Sequence, residues 1–218
     1  VSAAMARAGL APDRIAAIAL DGQMAGIMAI DEDWRPVTHY DSWLDTRCAP
    51  WLEQLRPHEH DIIQTCGMAL AFNHAPKILY WRDRPDVWSR IASFVQPAAY
   101  AAGRLAGLKG RDAFMDRTYL VFTGFGSSEH SVWNEELLSR FGLDTAKLPR
   151  IVEPWDIIGS VRPEWTEALG VAAGTPIAAG CGDQSANVLG GGLVDPGAVF
   201  DTSGTASVFA TVIDTFGT

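Results

Sequence analysis

Short apolar runs typical of β-strands alternate along this chain with segments patterned as helices. The strand-like runs cover residues 15–20, 26–30, 91–95, 175–179, 198–200 and 206–213. Between them, Pro76 and Pro97 can each open a helix, and Asn134 suits the N-cap of a helix that Gly142 closes. Because strands that alternate with helices pack as a sheet covered by helices, this order indicates an α/β fold.

Composition narrows the class of protein. With 218 residues, 48% hydrophobic and 20% charged, the chain suits a globular protein of one large domain or one and a fraction. The formal net charge of -9 argues against nucleic acid as a partner. No apolar run reaches the roughly 18 residues of a membrane span, and the start lacks the order of a signal peptide. We therefore expect a cytoplasmic protein without a membrane partner.

The cysteines, histidines and tryptophans, which often mark functional sites, form no recognisable motif in this sequence. The three cysteines are far apart with no C-x-x-C pair, which is typical of reduced thiols. His58 and His60 flank Glu59 at a spacing that fits no metal-binding motif. The eight tryptophans fall at irregular spacing, so most are expected to pack in or beside the core rather than to stack on a sugar.

A glycine-rich acidic turn follows the apolar run 175–179. Glycines in Gly180-Cys181-Gly182 let the chain turn sharply, so that Asp183 begins a helix over 184–189. Its carboxylate would then project into a cleft at the carboxyl edge of the sheet, where ligands of α/β proteins bind. The alternative is that Asp183 only caps the helix through Gln184 and the residue after it. Another polar turn, Asp21-Gly22-Gln23, joins the first two predicted strands.

The segment 201–207 is a predicted hairpin turn crowded with hydroxyl groups around Gly204. Such a turn can aim successive N–H groups and hydroxyls at a phosphate, although an ordinary hairpin turn has the same composition. No Walker A motif is present, and Gly180, Gly182 and Ser185 fail G-x-G-x-x-G at the third glycine. The phosphates of a nucleotide would therefore have to be bound by another structural element, and this hairpin is a candidate.

Five segments, taken together and in this order, resemble the FGGY carbohydrate kinases, and the nearest members are xylulokinase-like. They cover nearly the whole chain, which makes the resemblance far more specific than any one of them. The segments are Ile15 to Met24 (IAAIALDGQM), Trp43 to Arg47 (WLDTR), Ala75 to Trp81 (APKILYW), Gly182 to Gln184 (GDQ) and Thr202 to Thr205 (TSGT). Other actin-like ATPases lack this series.

The resemblance implies a ribonuclease H-like, actin-like ATPase fold with the active site between two domains. Residues 1–182 would be most of the N-terminal sugar-binding domain, without its first strands, because no Asp-x-Gly-Thr element precedes Ile15. Residues 183–218 would be the beginning of the C-terminal ATP-binding domain. We expect a chain incomplete at both ends to be inactive by itself, with open sheet edges that favour association, a homodimer being one form.

The resemblance also implies the chemistry: ATP-dependent phosphorylation of a ketose, polyol or sugar acid, with a xylulose-like sugar favoured. Asp183 takes the role of the catalytic base. ATP and Mg²⁺ are the implied cofactors, with the metal held mainly by ATP and by residues outside this chain. The implied substrate-binding residues are Gln23, Met24, Asp45, Arg47 and Gln184, and the residues facing the ATP phosphates are Ser203, Gly204 and Thr205.

Two positions depart from the xylulokinase pattern. Ala25 stands where those kinases typically carry a histidine, which removes a polar contact to the sugar. The string Met115-Asp116-Arg117-Thr118 replaces the usual Ser-Asp-x-Ser, so Asp116 has no assigned role. An alternative function is a non-catalytic sugar-binding or regulatory remnant of such a kinase.

Overall fold

The computed structural model describes residues 1–203 and 207–217 and mixes helices with short strands, as an α/β chain should. The α-helices are α1 (Ser2–Ala8), α2 (Ala49–Leu55), α3 (Glu59–Cys66), α4 (His74–Arg82), α5 (Pro85–Trp88), α6 (Pro97–Ala106), α7 (Glu135–Arg140), α8 (Thr166–Leu169) and α9 (Asp183–Gly190). The strands are β1 (Asp21–Gly22), β2 (Met28–Ile30), β3 (Ser93–Val95), β4 (Phe114–Asp116), β5 (Gly126–Ser127), β6 (Val132–Trp133), β7 (Arg150–Val152), β8 (Ile157–Ser160), β9 (Pro176–Ala178), β10 (Cys181–Gly182), β11 (Val199–Ser203) and β12 (Ser207–Thr211). Short 3₁₀ helices connect several of them, including Arg117–Phe122.

The described strands pair two by two. β1 with β10 and β4 with β7 are parallel, whereas β2 with β3, β5 with β6, β8 with β9 and β11 with β12 are antiparallel. Single bridges extend this pairing from Ile18 to Ile177 and from Ile27 to Asp41. One end of the segment 18–30 therefore lies beside residues 177–182, which lead into α9, and the other end lies beside residues 40–41.

Local signals in the sequence correctly predicted several helix ends. α6 begins at Pro97 and ends before Gly107, which adopts a left-handed conformation. Asn134 is the N-cap of α7, and its Oδ1 accepts a hydrogen bond from Leu137 N at 3.0 Å. Pro76 lies in the first turn of α4, where its missing N–H has no helical acceptor to lose.

The two acidic turns were predicted wrongly in detail. Asp21–Gly22 and Cys181–Gly182 form strands that pair with each other, where the sequence predicted only turns. Four residue steps separate Ile177 from Cys181, but only three separate their partners Ile18 and Asp21, so the later strand carries one extra residue. Gly180 accommodates it with φ 77°, and a Cβ there would lie 1.9 Å from Leu20 O. A glycine bulge thus carries the parallel pairing up to Asp183.

The β2–β3 pair separates two apolar cores. Ala29 and Phe94 face a core that includes side chains from α2, α3, α4 and α7. Ile30 and Val95 face the other side, against α6 and strands β4, β7, β8 and β9. Adjacent residues of each strand point to opposite faces, so three-residue strands can be buried on both sides.

The first strand of the C-terminal hairpin is longer than predicted. β11 extends to Ser203, so Asp201 and Thr202 belong to a strand rather than to the turn. The predicted boundary between two domains at 182/183 coincides with the start of α9 and stays a prediction. Among the described residues, no helix is both long enough and apolar enough to cross a membrane.

Candidate active site

Asp183 is the first residue of α9, directly after β10. Its Oδ1 accepts a hydrogen bond from Gln184 N at 2.8 Å, and no described residue bonds its Oδ2. Burial, together with the Asp21 carboxylate across the strand pair, raises the pKa of the Asp183 carboxyl. Gly182, and not Asp183, is the N-cap residue of α9, so helix capping does not occupy both carboxylate oxygens of Asp183. One carboxylate oxygen remains for a substrate.

A hydroxyl relay holds the backbone that precedes Asp183. Gly182 N donates to Thr118 Oγ1 at 2.9 Å, and Thr118 Oγ1 donates to Asp116 Oδ1 at 2.5 Å. The same carboxylate oxygen accepts from Thr118 N at 2.9 Å. Asp116 is only 3% exposed, and burial raises the pKa of its carboxyl to about 6. Asp116 and Thr118, to which the sequence assigned no role, therefore hold the backbone before Asp183 in position.

The 3₁₀ helix Arg117–Phe122 also holds the opposite strand. Tyr119, which is buried, donates from its hydroxyl to Gly22 O at 2.9 Å. Met24 packs on the backbone of Gly182, because a Cβ added there would lie 2.5 Å from the methionine side chain. One short helix thus fixes both strands at the site.

Gln23 is oriented by a tyrosine that the sequence analysis did not identify. The Tyr40 hydroxyl donates to Gln23 Oε1. Burial raises the pKa of Tyr40 to about 12, with further contributions from the carboxylates of Asp183 and Asp41, so Tyr40 keeps its proton. Since Gln23 Oε1 is engaged, the amide Nε2 is left to donate to a ligand. The Ile27–Asp41 bridge places Tyr40 beside this segment.

Gln184 contributes an acceptor. Its Oε1 is buried and has no hydrogen-bond partner among the described residues. Most buried polar atoms are paired, so this orphan, one residue after Asp183, is an acceptor that still lacks a donor. Gln23, Asp183 and Gln184 are the three sequence-predicted residues with polar atoms at this site.

Met24 is placed beneath the site. It is 5% exposed and packs with Met115, Tyr119 and Leu120. Its carbonyl accepts from His74 Nε2 at 2.7 Å, and burial lowers the pKa of His74 to about 4, so the imidazole is neutral. Substrate contact by Met24 stays a prediction.

Asp45 and Arg47 belong to an ion-pair network that also includes Asp41, the residue after Tyr40. Arg47 Nη2 lies 2.5 Å from Asp45 Oδ2 and 2.6 Å from Asp41 Oδ1. Trp81 Nε1 donates to the other oxygen of the buried Asp41. Hydrogen bonds from Arg47 lower the pKa of Asp45, whereas burial raises that of Asp41. Both predicted residues are engaged with each other, and their contact with a substrate stays a prediction.

The hairpin predicted to hold the ATP phosphates is only partly described. Asn187 Nδ2, on α9, donates to Thr202 Oγ1 at 3.1 Å, which ties β11 to the helix that Asp183 begins. Ser203 ends β11 and is described by its backbone, whereas Gly204 and Thr205 lie outside the described residues.

The residues that sequence reasoning missed were Asp21, Tyr40, Thr118 and Tyr119. The Asp-x-Thr pattern directly after the short apolar run 113–115 is a side-chain-to-backbone turn signal that could have identified Thr118. No local signal identifies Tyr40, because its role depends on a contact across 17 residues.

Within the described ranges, no group of three or more His, Cys, Asp or Glu residues could hold a metal ion by itself. The Asp21 and Asp183 carboxylates interact electrostatically across the strand pair. Mg²⁺ commonly binds ATP phosphates with one or two carboxylates and several waters. The oxygen donors at the site are therefore compatible with a Mg²⁺–ATP complex.

Known proteins resemble this chain over most of its length. The N-terminal domain of the FGGY family of carbohydrate kinases matches residues 1–190. A xylulose kinase from Streptomyces coelicolor is 31% identical over 217 residues, covering 93% of this chain and 42% of its own length. Among solved structures, a xyloylose kinase from Brucella ovis is 28% identical with a TM-score of 0.77, over 95% of this chain and 42% of that one.

A ligand-bound xylulose kinase from Lactobacillus acidophilus has a TM-score of 0.83 over 93% of this chain and 41% of that one, at 22% identity, which shows the fold alone. The predicted ribonuclease H-like, actin-like fold is thereby confirmed. The chain spans only about two fifths of the length of the relatives that it matches. On the family match over residues 1–190, the chain belongs to the FGGY family of carbohydrate kinases.

Proposed function

We propose that the protein containing this chain is an ATP-dependent sugar kinase that phosphorylates a hydroxyl group of a ketose, polyol or sugar acid, with a xylulose-like sugar favoured. The observation that carries this proposal is the Asp183 carboxylate at the start of α9, which has a raised pKa and one oxygen that no described residue bonds. The residue that follows it, Gln184, has a buried Oε1 without a partner among the described residues. A carboxylate with an unoccupied oxygen can deprotonate one hydroxyl, and the amide oxygen of the next residue can accept from a second hydroxyl.

In the proposed reaction, Asp183 Oδ2 accepts the proton of the sugar hydroxyl. The hydroxyl oxygen forms a bond to the γ-phosphorus of ATP, and the bond from that phosphorus to the bridging oxygen of ADP breaks. Gln184 Oε1 accepts from a sugar hydroxyl and Gln23 Nε2 donates to another. Phosphoryl transfer passes through a loose transition state, so catalysis consists mainly of positioning and of neutralising charge.

The nucleotide is proposed to face the hairpin at Ser203, Gly204 and Thr205. Mg²⁺ accompanies ATP and neutralises charge on its phosphates when bound. A cytoplasmic enzyme that acts as a monomer or homodimer, without nucleic acid or membrane partners, completes the proposal. The hydrogen bond from Asn187 on α9 to Thr202 on β11 supports this proposal, because it ties the first strand of the hairpin to the helix that Asp183 begins.

The test is sugar-dependent ADP release by the full-length gene product, measured across ketopentoses, pentitols, glycerol and gluconate. Asp183→Asn removes the base and should reduce kcat by roughly 10² to 10⁴. Asp13→Asn is the matched control, since Asp13 is exposed on a remote 3₁₀ helix. Sugar binding without ADP release from any sugar would instead favour the non-catalytic remnant.

A further inference from the structure

A surface cavity of about 250 Å³ lies at the C-terminal end of α6. Half of its lining residues are charged, namely Asp33, Arg104, Lys109, Arg162 and Glu164. Two tryptophans and two glycines supply most of the remaining wall. The volume lies just below the ~300–1,000 Å³ of typical small-molecule sites, which favours a small ligand over a nucleotide.

Helix α6 separates this cavity from the candidate active site. At the start of the helix, Ala98 packs on β1, because a Cβ added to Gly22 would lie 3.1 Å from Ala98 N. The cavity begins at Gly103 and Arg104, further along the same helix. With a rise of about 1.5 Å per residue, Arg104 lies about 9 Å beyond Ala98 along the helix axis. The cavity is therefore distinct from the site that includes Asp183.

The last turn of α6 presents charged side chains to the cavity, because its backbone groups already have partners. Arg104 O accepts a hydrogen bond from Trp165 Nε1 at 3.0 Å, and Leu105 O accepts one from Arg162 N at 3.1 Å. The Arg162 side chain also packs on Gly107, where an added Cβ would lie 2.4 Å from Arg162 Cδ. The donors left to a ligand are therefore those of the arginine and lysine side chains.

Cationic side chains outnumber carboxylates around this cavity, although the chain carries a formal net charge of -9. Lys109 Nζ lies 2.9 Å from Asp33 Oδ1, and Arg162 Nε lies 2.7 Å from Glu164 Oε1. Each of these ion pairs uses one N–H group of its cation, so Lys109 and Arg162 both retain further donors. No described residue accepts a hydrogen bond from the Arg104 guanidinium or forms an ion pair with it.

Free donors on three cations match the chemistry of a phosphate group. A phosphate monoester carries up to two negative charges and three strong acceptor oxygens, and arginine often donates to such oxygens two at a time. We propose that this cavity binds the phosphate group of a small molecule, with Arg104, Lys109 and Arg162 as the donors. This second site does not depend on the proposed kinase activity, so the failure of either proposal leaves the other standing.

Calorimetric titration of the full-length protein tests the site with defined probes. Phosphoglycolate should bind saturably, whereas glycolate, which lacks the phosphate, should not bind. Inorganic phosphate separates the two sources of this chemistry: equal affinity would assign the site to free phosphate, and weaker affinity would assign it to a phosphorylated metabolite. Succinate, a dianion without phosphate, should bind at least about tenfold more weakly than phosphoglycolate. No saturable binding of either phosphate compound, or equal binding of succinate, would overturn the inference.

A variant that removes one cation locates the binding. Arg104 is exposed, so Arg104→Gln should keep the fold, which thermal melting checks. Loss of its charge-assisted hydrogen bonds should weaken phosphoglycolate binding at least about tenfold. Arg90→Gln, at an exposed arginine that does not line the cavity, makes the same charge change and should bind like the parent protein. Unchanged binding in Arg104→Gln, or an equal loss in both variants, would place the phosphate elsewhere and overturn the inference.

The opposite charge change should strengthen binding. Glu164→Gln removes a carboxylate from the cavity and releases Arg162 Nε from its ion pair, while the packing of Arg162 on Gly107 remains. Phosphoglycolate should then bind severalfold more tightly, because a negative charge beside the anion is gone. Glu167→Gln, at an exposed residue of α8 outside the cavity, is the matched control and should leave the affinity unchanged. Unchanged or weaker binding in Glu164→Gln would contradict this cavity as the phosphate site.

Discussion

Thr118 Oγ1 accepts a hydrogen bond from Gly182 N at 2.9 Å, one residue before the carboxylate proposed as the base. The two residues are 64 positions apart in the chain. The threonine hydroxyl in turn donates to the buried Asp116. A side chain from a distant segment thus holds the backbone from which Asp183 projects.

Removal of this hydroxyl should impair both stability and turnover. Thr118→Val leaves Gly182 N without its partner and removes one of the two hydrogen bonds to Asp116 Oδ1, which should lower the free energy of unfolding by about 1–3 kcal/mol. A displacement of Asp183 by about 1 Å would reduce kcat on the order of 10²-fold, with a smaller change in KM. Urea unfolding and steady-state kinetics of the full-length protein check both. Thr118→Ser keeps the hydroxyl and should behave like the parent protein, and equal defects in both variants would contradict the role of this contact.

Asp116 should make stability depend on pH. Burial raises its pKa from 3.8 to about 6 in the folded protein, so between these values the folded state holds more protons than the unfolded state. Its contribution to stability is therefore largest below pH 4 and is lost as pH rises to about 6, by at most about 3 kcal/mol.

The variant Asp116→Asn removes that titration. Its amide oxygen can still accept from Thr118, so the variant should lose less stability between pH 4 and 6 than the parent does. Unfolding by urea at a series of pH values measures the difference. Asp13→Asn, at an exposed position, should leave the pH dependence unchanged. An equal change in the free energy of unfolding between pH 4 and 6 for the parent protein and Asp116→Asn would exclude the raised pKa.

Tyr40→Phe should weaken sugar binding. The variant loses the hydroxyl that donates to Gln23 Oε1, so the amide of Gln23 is free to reorient. We expect the KM for the sugar to rise several-fold, about the effect of one neutral hydrogen bond, with a smaller change in kcat. Tyr100→Phe is the control, because its side chain packs at a different core. An unchanged KM in Tyr40→Phe would show that Tyr40 does not position Gln23.

The bulge at Gly180 should tolerate no side chain. Gly180→Ala would place a Cβ 1.9 Å from Leu20 O in a left-handed conformation, whereas Gly174→Ala at φ 83° meets no atom within 4 Å. Both variants carry the conformational cost of about 1 kcal/mol, but only Gly180→Ala adds a backbone clash. Thermal melting should therefore show a clearly larger loss for Gly180→Ala. Equal losses would mean that the bulge relaxes without cost.

Local chemistry made part of this protein readable from its sequence. Helix starts at Pro97 and Asn134 depend on a proline ring and on a side chain that bonds its own helix, so neighbouring residues decide them. The position of Asp183 at the start of a helix after a glycine-rich turn is local in the same sense. The order of the five motifs also sufficed to indicate the family.

Contacts between distant segments decided the rest. The turn at Asp21 became a strand because Cys181 lies beside it, and no nearby residue encodes that pairing. Likewise, Tyr40 meets Gln23 and Thr118 meets Gly182 only after the chain has folded. The sequence by itself therefore determined the family, the local helix starts and the position of the proposed base. Only the tertiary structure decided what holds that base in place, because hydrogen bonds and packing between segments depend on distance in space rather than along the chain.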